Sequence, residues 1–276
     1  MDKLKSIFLR FVLMIGIVIF FYPTISDAVN NVTESRGIVE YNQVLSKYDS
    51  VEVEKIKEKA REYNRRIEEL GDAFYHPEKE NGYADCLNPF SDGMMGSLVI
   101  EKIAVNLPIY HGTSDAVMQK GVGHLEGTSL PIGGASTHVA LSTHCGLPSA
   151  KLFTDLYQLE KGDTFTISVL GENLVYRVVQ IKTVIPSALE DLKIEEGKDL
   201  VTLTTCTPYG INTHRLLVKG ERVPSEKVEK ITDVTEQARK SIFWSSFKII
   251  AVSIVLVLLF FTILVDLWKW NKKKRQ

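Results

Sequence analysis

The sequence predicts a mainly β domain, a small barrel or sandwich, carried between two apolar terminal segments. Three observations lead there. From residue 97 onward, short runs rich in Val, Ile, Leu and Thr alternate with turn clusters such as GTSDA, GENL and TPYGIN. Each end of the chain holds a long, nearly uncharged run beside basic residues. Hydrophobic residues make up 45% of the 276 and charged residues 24%, a composition that excludes a disordered chain.

At the N-terminus, Lys3, Lys5 and Arg10 precede the apolar run Phe11–Tyr22, which ends at Pro23. A basic start before such a run fits a signal peptide cleaved after Ala28, or an uncleaved anchor over Ile7–Ile25 with Arg10 snorkelling. At the other end, Ile249–Val265 carries no charge. Trp244 and Trp268 bracket it at a helical separation of about 36 Å, right for two interfacial belts. Lys269, Lys272, Lys273, Lys274 and Arg275 follow, so the positive-inside rule predicts a cytoplasmic tail. The N-terminal basic cluster agrees, which puts the intervening domain outside the cytoplasm.

Residues 33–71 read as helical. Val53, Ile56, Ala60, Tyr63, Ile67 and Leu70 form an apolar stripe on a charged helix, with Gly71 as its stop. The stripe is too short to require a coiled coil and predicts a helix lying against the domain. Residues 72–96 are rich in Asn, Asp, Gly and Pro, the composition of a linker or lid. Strands are predicted at Gly96–Ile100, Val105–Tyr110, His138–Ser142, Thr164–Leu170, Asn173–Ile185, Leu200–Cys206 and Thr213–Val218, with a short helix over Lys151–Leu159. About 125 residues suffice for one small closed barrel.

The whole chain carries 33 basic and 34 acidic residues, a net charge of −1, which argues against a nucleic-acid binder. Residues 29–240 hold 24 basic and 31 acidic residues, a net −7. Three cysteines are too few for a disulfide framework, and an odd number in an exported domain points to a thiol with a task.

Cys206 ends the run DLVTLTTC, before the turn Thr207-Pro208-Tyr209-Gly210, and Arg215 lies in the returning run. Paired as a hairpin, the two reach one end of the same sheet. A guanidinium there favours a thiolate and can hold a carbonyl or oxyanion. His144, in LSTHCGLP, also ends a strand, and a cysteine nucleophile needs an imidazole to protonate the leaving amine. Cys–His–Arg is thus an acyl-transfer constellation. Spacing leaves His214 open as the base, although alternation puts His214 and Arg215 on opposite faces. His138, His144, Cys145, Cys206 and His214 are candidate zinc ligands, without C-x₂-C spacing. Cys145, next to His144 on an extended segment, is expected to face away from the site.

The run TLTTCTPYGINTHRLLVKGER, together with LSTHCGLP, resembles the signature of class C sortases, the pilus-assembling group of Gram-positive bacteria. The resemblance covers roughly 100–223. It implies an eight-stranded β-barrel and a transpeptidase without cofactor or metal. Its nucleophile is Cys206, its proton donor His144 and its carbonyl-binding group Arg215. It also implies cleavage of an LPXTG-like signal through a thioacyl enzyme, then transfer to a lysine amine of the next pilin. Class C lids usually carry Asp-Pro-aromatic; here the triplet is Asn88-Pro89-Phe90. Asn88 lacks the carboxylate for Arg215, with Asp85 or Asp92 as substitutes, while Phe90 is expected over the thiol. A disulfide between Cys86 of this loop and Cys206 is a disfavoured alternative.

These readings give segments 1–28 (signal or anchor), 29–83 (helical extension), 84–96 (lid-like loop), 97–225 (catalytic barrel), 226–241 (linker), 242–268 (transmembrane helix) and 269–276 (basic tail). The expected partners are pilin subunits and the membrane, with no nucleic acid. The competing functions are a sortase that anchors proteins to cell-wall peptidoglycan and a catalytically inactive, membrane-tethered scaffold. A papain-like protease is disfavoured because the histidine precedes the cysteine and that fold's helical half is missing.

Overall fold

The structure, a computed structural model, describes residues 2–71, 82–224 and 234–274. Residues 72–81 of the predicted irregular segment and 225–233 of the linker lie outside them, as do the side chains of 270–276. The chain divides into two units, residues 33–147 with 151–240, and residues 1–32 with 148–150 and 241–276.

In the larger unit the predicted helical stretch 33–71 is broken. Helix α1 (Asp2–Leu45) ends in a turn over 46–49, and α2 (Ser50–Leu70) starts afresh. Asp49 causes the restart: its carboxylate accepts from Glu52 N (2.7 Å) while Glu52 accepts from Asp49 N (3.0 Å), a capping box. Gly71, at φ 62°, ends α2 in the left-handed conformation open to glycine. The centre of the predicted stripe, Ala60, Tyr63 and Ile67, is buried. Asn64 shares that face and ties α2 to Leu130, accepting from its N–H (2.6 Å) and donating to its carbonyl (3.2 Å).

The barrel consists of β1 (Met94–Ile100), β2 (Val105–His111), β3 (Val122–His124), β4 (Thr137–Ser142), β5 (Thr164–Val169), β6 (Glu172–Val184), β7 (Asp199–Thr207) and β8 (His214–Arg222). A one-turn helix, α3 (Asp115–Met118), precedes β3. The strands close in the order β1-β2-β3-β4-β7-β8-β6-β5. The pairs β2–β3 and β4–β7 are parallel and the others antiparallel. Closure leaves no edge strand. Leu98, Ile109, Val139, Leu141, Ile167, Val201, Leu203 and Val218 fill the interior, each large apolar side chain contributing roughly 1.5–3 kcal/mol.

Strand β3 has no counterpart among the predicted strands. It is three residues long, with Gly121 just before it and Gly123 inside it, and both glycines serve close approach: a Cβ at Gly121 would sit 2.6 Å from the Pro108 carbonyl, and one at Gly123 would strike the Gly112 carbonyl. The helix predicted over Lys151–Leu159 is a series of turns with a single 3₁₀ turn, Leu156–Gln158.

In the smaller unit, Pro23 sits inside α1 without ending it, and α4 (Val234–Lys274) contributes its part from Ser241 onward. The apolar spans Phe8–Leu45 and Thr235–Lys269 are long enough to cross a membrane. Phe8, Phe20, Val257 and Phe261 are exposed. Arg10 forms an ion pair with Asp266.

Candidate active site

Strands β7 and β8 pair as the predicted hairpin, with Cys206 opposite Arg215 and Thr207 opposite His214. Arg215 Nη1 donates to the carbonyls of His214 (3.1 Å) and Asn212 (3.3 Å), which hold it at the turn. Among the described residues no carboxylate pairs with it.

His144 is placed by β4, which runs parallel to β7 with Ser142 opposite Thr204. The ladder continues past the end of β4. Thr143 N donates to Thr204 O (3.4 Å), and the Thr205 hydroxyl donates to Thr143 O (2.8 Å). The ladder thus ends one residue before His144, on the segment that flanks β7, and β7 ends with Cys206 and Thr207. Thr143 is itself buried, its hydroxyl within hydrogen-bond distance of the Gly121 (2.7 Å) and Met118 (2.9 Å) carbonyls. The two threonines thus fix the residues just before the imidazole and just before the thiol. Both lie inside the quoted motifs, TLTTC and LSTHC, but nothing in their spacing announced this bracing. His144 Nε2 faces Asp115 at 3.9 Å. That carboxylate is 85% exposed, so the pair contributes under about 1 kcal/mol.

The remaining candidate ligands stand elsewhere. His138 is buried, with Nδ1 2.7 Å from Lys193 O and Nε2 2.8 Å from Thr202 Oγ1, and burial pushes it down to about 4. His124, outside the predicted ligand set, is wholly buried against Tyr83 Oη (2.9 Å) and Ser129 O (2.8 Å) and is also pushed down to about 4 by burial. His214 faces its neighbour Thr213. Among the described residues no group of three or more His, Cys, Asp and Glu is placed to hold a metal ion.

The loop before β1 departs from expectation. Phe90 packs edge-on against Tyr41 (5.3 Å between ring centroids) and Tyr48 (6.2 Å) near the end of α1, and not on the thiol. Tyr48 also donates to Pro89 O (3.1 Å). Asn88 organises its own loop, donating to Ala84 O (3.0 Å) and accepting from Gly93 N (3.0 Å). Asp92 caps Met94 N (2.9 Å) instead of substituting at Arg215. Cys86 is buried 3.9 Å from Lys59 O, on the α2 side, and it and Cys206 are both free, so the disfavoured Cys86–Cys206 disulfide is not formed. His111 holds both ends of the loop, with ring nitrogens 2.7 Å from Cys86 O and 3.0 Å from Gly93 O. No motif had marked His111.

Cys145 also departs from expectation. Strand alternation does not apply because β4 ends at Ser142 and the chain bends at Cys145–Gly146, with Gly146 at φ 79°. The thiol is pushed up by burial and by the nearby Cys206. No disulfide joins any of the three cysteines.

A sequence profile described as the sortase domain matches residues 98–223. Sortase C1 from Streptococcus agalactiae superposes with a TM-score of 0.63 and 47% identity, over 69% of this chain and 99% of that one. The chain belongs to the sortase family. Sortases are cysteine transpeptidases, and this chain is an enzyme of that kind. A sortase C from Clostridium perfringens, solved with the C-terminal cell wall sorting motif, matches with a TM-score of 0.60 and 45% identity over 68% of this chain and 98% of that one. By sequence, this sortase is 25% identical over 237 residues to Sortase A of Listeria monocytogenes, covering 84% of this chain and 96% of the relative. It is 30% identical over 131 residues to Sortase D of Bacillus subtilis, covering 46% and 63%. The fold is the predicted eight-stranded barrel, and the solved neighbours of this sortase are class C enzymes.

Proposed function

We propose that this sortase polymerises pilins, with Cys206 as nucleophile, His144 as proton carrier and Arg215 as the group that binds the carbonyl oxygen. The observation that carries the reading is the pairing of Cys206 with Arg215 across the β7–β8 hairpin, and the parallel β4–β7 ladder, which runs to Thr143, supports His144 as their partner. The Cys206 thiolate attacks the threonine carbonyl carbon of an LPXTG-like signal, and the developing oxyanion is held by the Arg215 guanidinium. As the Thr–Gly bond breaks, His144 gives its proton to the glycine amine, leaving a thioester on Cys206. A neutral lysine amine of the next subunit then attacks the thioester. His144 takes the amine proton, Cys206 leaves as thiolate, and an isopeptide bond remains.

Support for the substrate class comes from the likeness to class C sortases, one of them solved with a cell wall sorting motif and another a sortase C1 of a pilus island. The barrel from β1 to β8, residues 94–222, would be the catalytic domain, with the loop that ends at residue 93 leading into it. The two apolar helices hold the enzyme in the membrane, with the barrel outside and both termini in the cytoplasm if the N-terminal segment is retained.

The test uses the full chain in detergent with an LPXTG-type peptide, read by intact mass. An acyl adduct and a released glycine fragment are expected for wild type and absent for Cys206→Ala. Chase with a pilin then yields a lysine isopeptide. Resolution by a peptidoglycan amine alone would make this a wall-anchoring sortase, and no adduct from reduced wild type would leave a scaffold.

A further inference from the structure

The bend after β4 puts a second thiol at the mouth of the site, and neither the proposed acyl transfer nor the fold requires one. Neighbouring strands lie about 4.8 Å apart, and a disulfide needs a Cα separation of about 4.4–6.8 Å. The β4–β7 ladder runs as far as Thr143, whose N–H meets Thr204 O and whose carbonyl meets the Thr205 hydroxyl, and two residues on the Cys145 thiol is near enough to Cys206 to feel its charge. Gly146 keeps the turns after the two strands together: a Cβ there would run into the Tyr209 ring, three residues beyond Cys206. Both thiols are half-buried and within reach of a small oxidant, whereas Cys86 is 5% exposed.

We propose that Cys145 is the resolving thiol of Cys206, so that a hydroperoxide closes the pair into an intramolecular disulfide that switches the enzyme off reversibly. The proposal rests on the reading of Cys206 as the reactive thiol. The Cys206 thiolate attacks a peroxide oxygen, the O–O bond breaks, and the products are a sulfenic acid and hydroxide. The Cys145 sulfur then attacks the Cys206 sulfur. The S–O bond breaks, the departing hydroxide leaves as water with the Cys145 proton, and an S–S bond forms. Two thiols and one hydrogen peroxide give one disulfide and two waters: the sulfurs lose two electrons and the peroxide oxygens gain them. A dithiol reverses the step by exchange. Burial and the nearby Cys206 hold Cys145 in its thiol form, so it stays passive until the sulfur opposite becomes electrophilic.

The experiment treats the reduced, full-length protein in detergent with hydrogen peroxide, digests it without reductant and maps the peptides by mass. The expected result is a linked peptide joining Cys145 to Cys206, with both thiols lost to alkylation together and Cys86 outside the bond. Activity on the sorting peptide returns with dithiothreitol in wild type. In Cys145→Ser recovery is lower by at least ~5-fold, because the sulfenic acid proceeds to sulfinic acid. Absence of the linked peptide with equal recovery in both proteins overturns the proposal, as does a link between two molecules. The map reads the bond without turnover. A disulfide in a protein that never acylates on the peptide would therefore sink the transpeptidase reading and leave the thiol pair standing.

Discussion

Three histidines of this chain, two in the barrel wall and one at its rim, show by contrast where chemistry can reside. In the barrel wall, His124 and His138 have both ring nitrogens occupied by carbonyls or hydroxyls and are buried. At the end of β4, His144 is half-buried, its closest ionic neighbour a single exposed carboxylate at 3.9 Å. Rings of the first kind hold strands together and are kept neutral. The second kind is the one proposed above as the proton carrier. Motif spacing alone did not separate His138 from His144; hydrogen-bond saturation does.

The largest effect expected on that division is at its reactive end. Arg215→Lys keeps the charge but loses the planar fork, so kcat/KM for the sorting peptide should fall by roughly 10²–10³ while the unfolding midpoint hardly moves. An unchanged rate would remove Arg215 from the chemistry. Next comes the wall. Both buried histidines have folded pKa values near 4, below the ordinary 6.5, so the unfolded chain binds more protons between those values. Their contribution is complete above pH 6.5 and is lost as pH falls toward 4, up to about 3 kcal/mol for each ring. Urea unfolding at several pH values checks the slope, and His138→Gln should flatten it by about half. A slope the variant leaves untouched would break the comparison.

The braces between the two regions come third. Thr143→Val leaves the shape but strips the hydroxyl from the Met118 and Gly121 carbonyls. A stability loss of about 1–3 kcal/mol is expected, with a lower kcat if His144 shifts. Smaller again is Phe90→Ala. Removing the ring from Tyr41 and Tyr48 should cost about 1 kcal/mol and speed proteolysis of the loop, with Cys206 alkylation changed less than about twofold. A large jump in alkylation would return the ring to the thiol. Asp115→Asn should be the smallest change, under about threefold in kcat/KM.

The barrel was legible because its long strands alternate or run apolar between strong turn signals, as in DLVTLTTC and THRLLVKG. Cys206 and Arg215 were legible because a hairpin converts sequence spacing into a cross-strand pair. The rest depends on contacts that spacing does not encode. Strand β3 hid behind glycines whose purpose is backbone approach. Phe90 reads the same whether its ring meets a thiol or two tyrosines. Cys145 was misplaced because alternation was carried beyond the last residue of β4, into a bend that only Gly146 at positive φ reveals.

The parallel partnership of β4 and β7 has a consequence for how the enzyme comes into being. His144 and Cys206 are 62 positions apart, with the whole β5–β6 hairpin between them, and β7 and β8 are the last strands of the barrel in chain order. A chain that has made every earlier strand still has its imidazole on an unpartnered flank, with neither thiol nor guanidinium in place. Long-range parallel pairing of this kind forms late and slowly. On the proposed assignment of Cys206, His144 and Arg215, competence therefore coincides with completion of the barrel, and a nascent or misfolded copy lacks the arrangement that would make its thiol reactive.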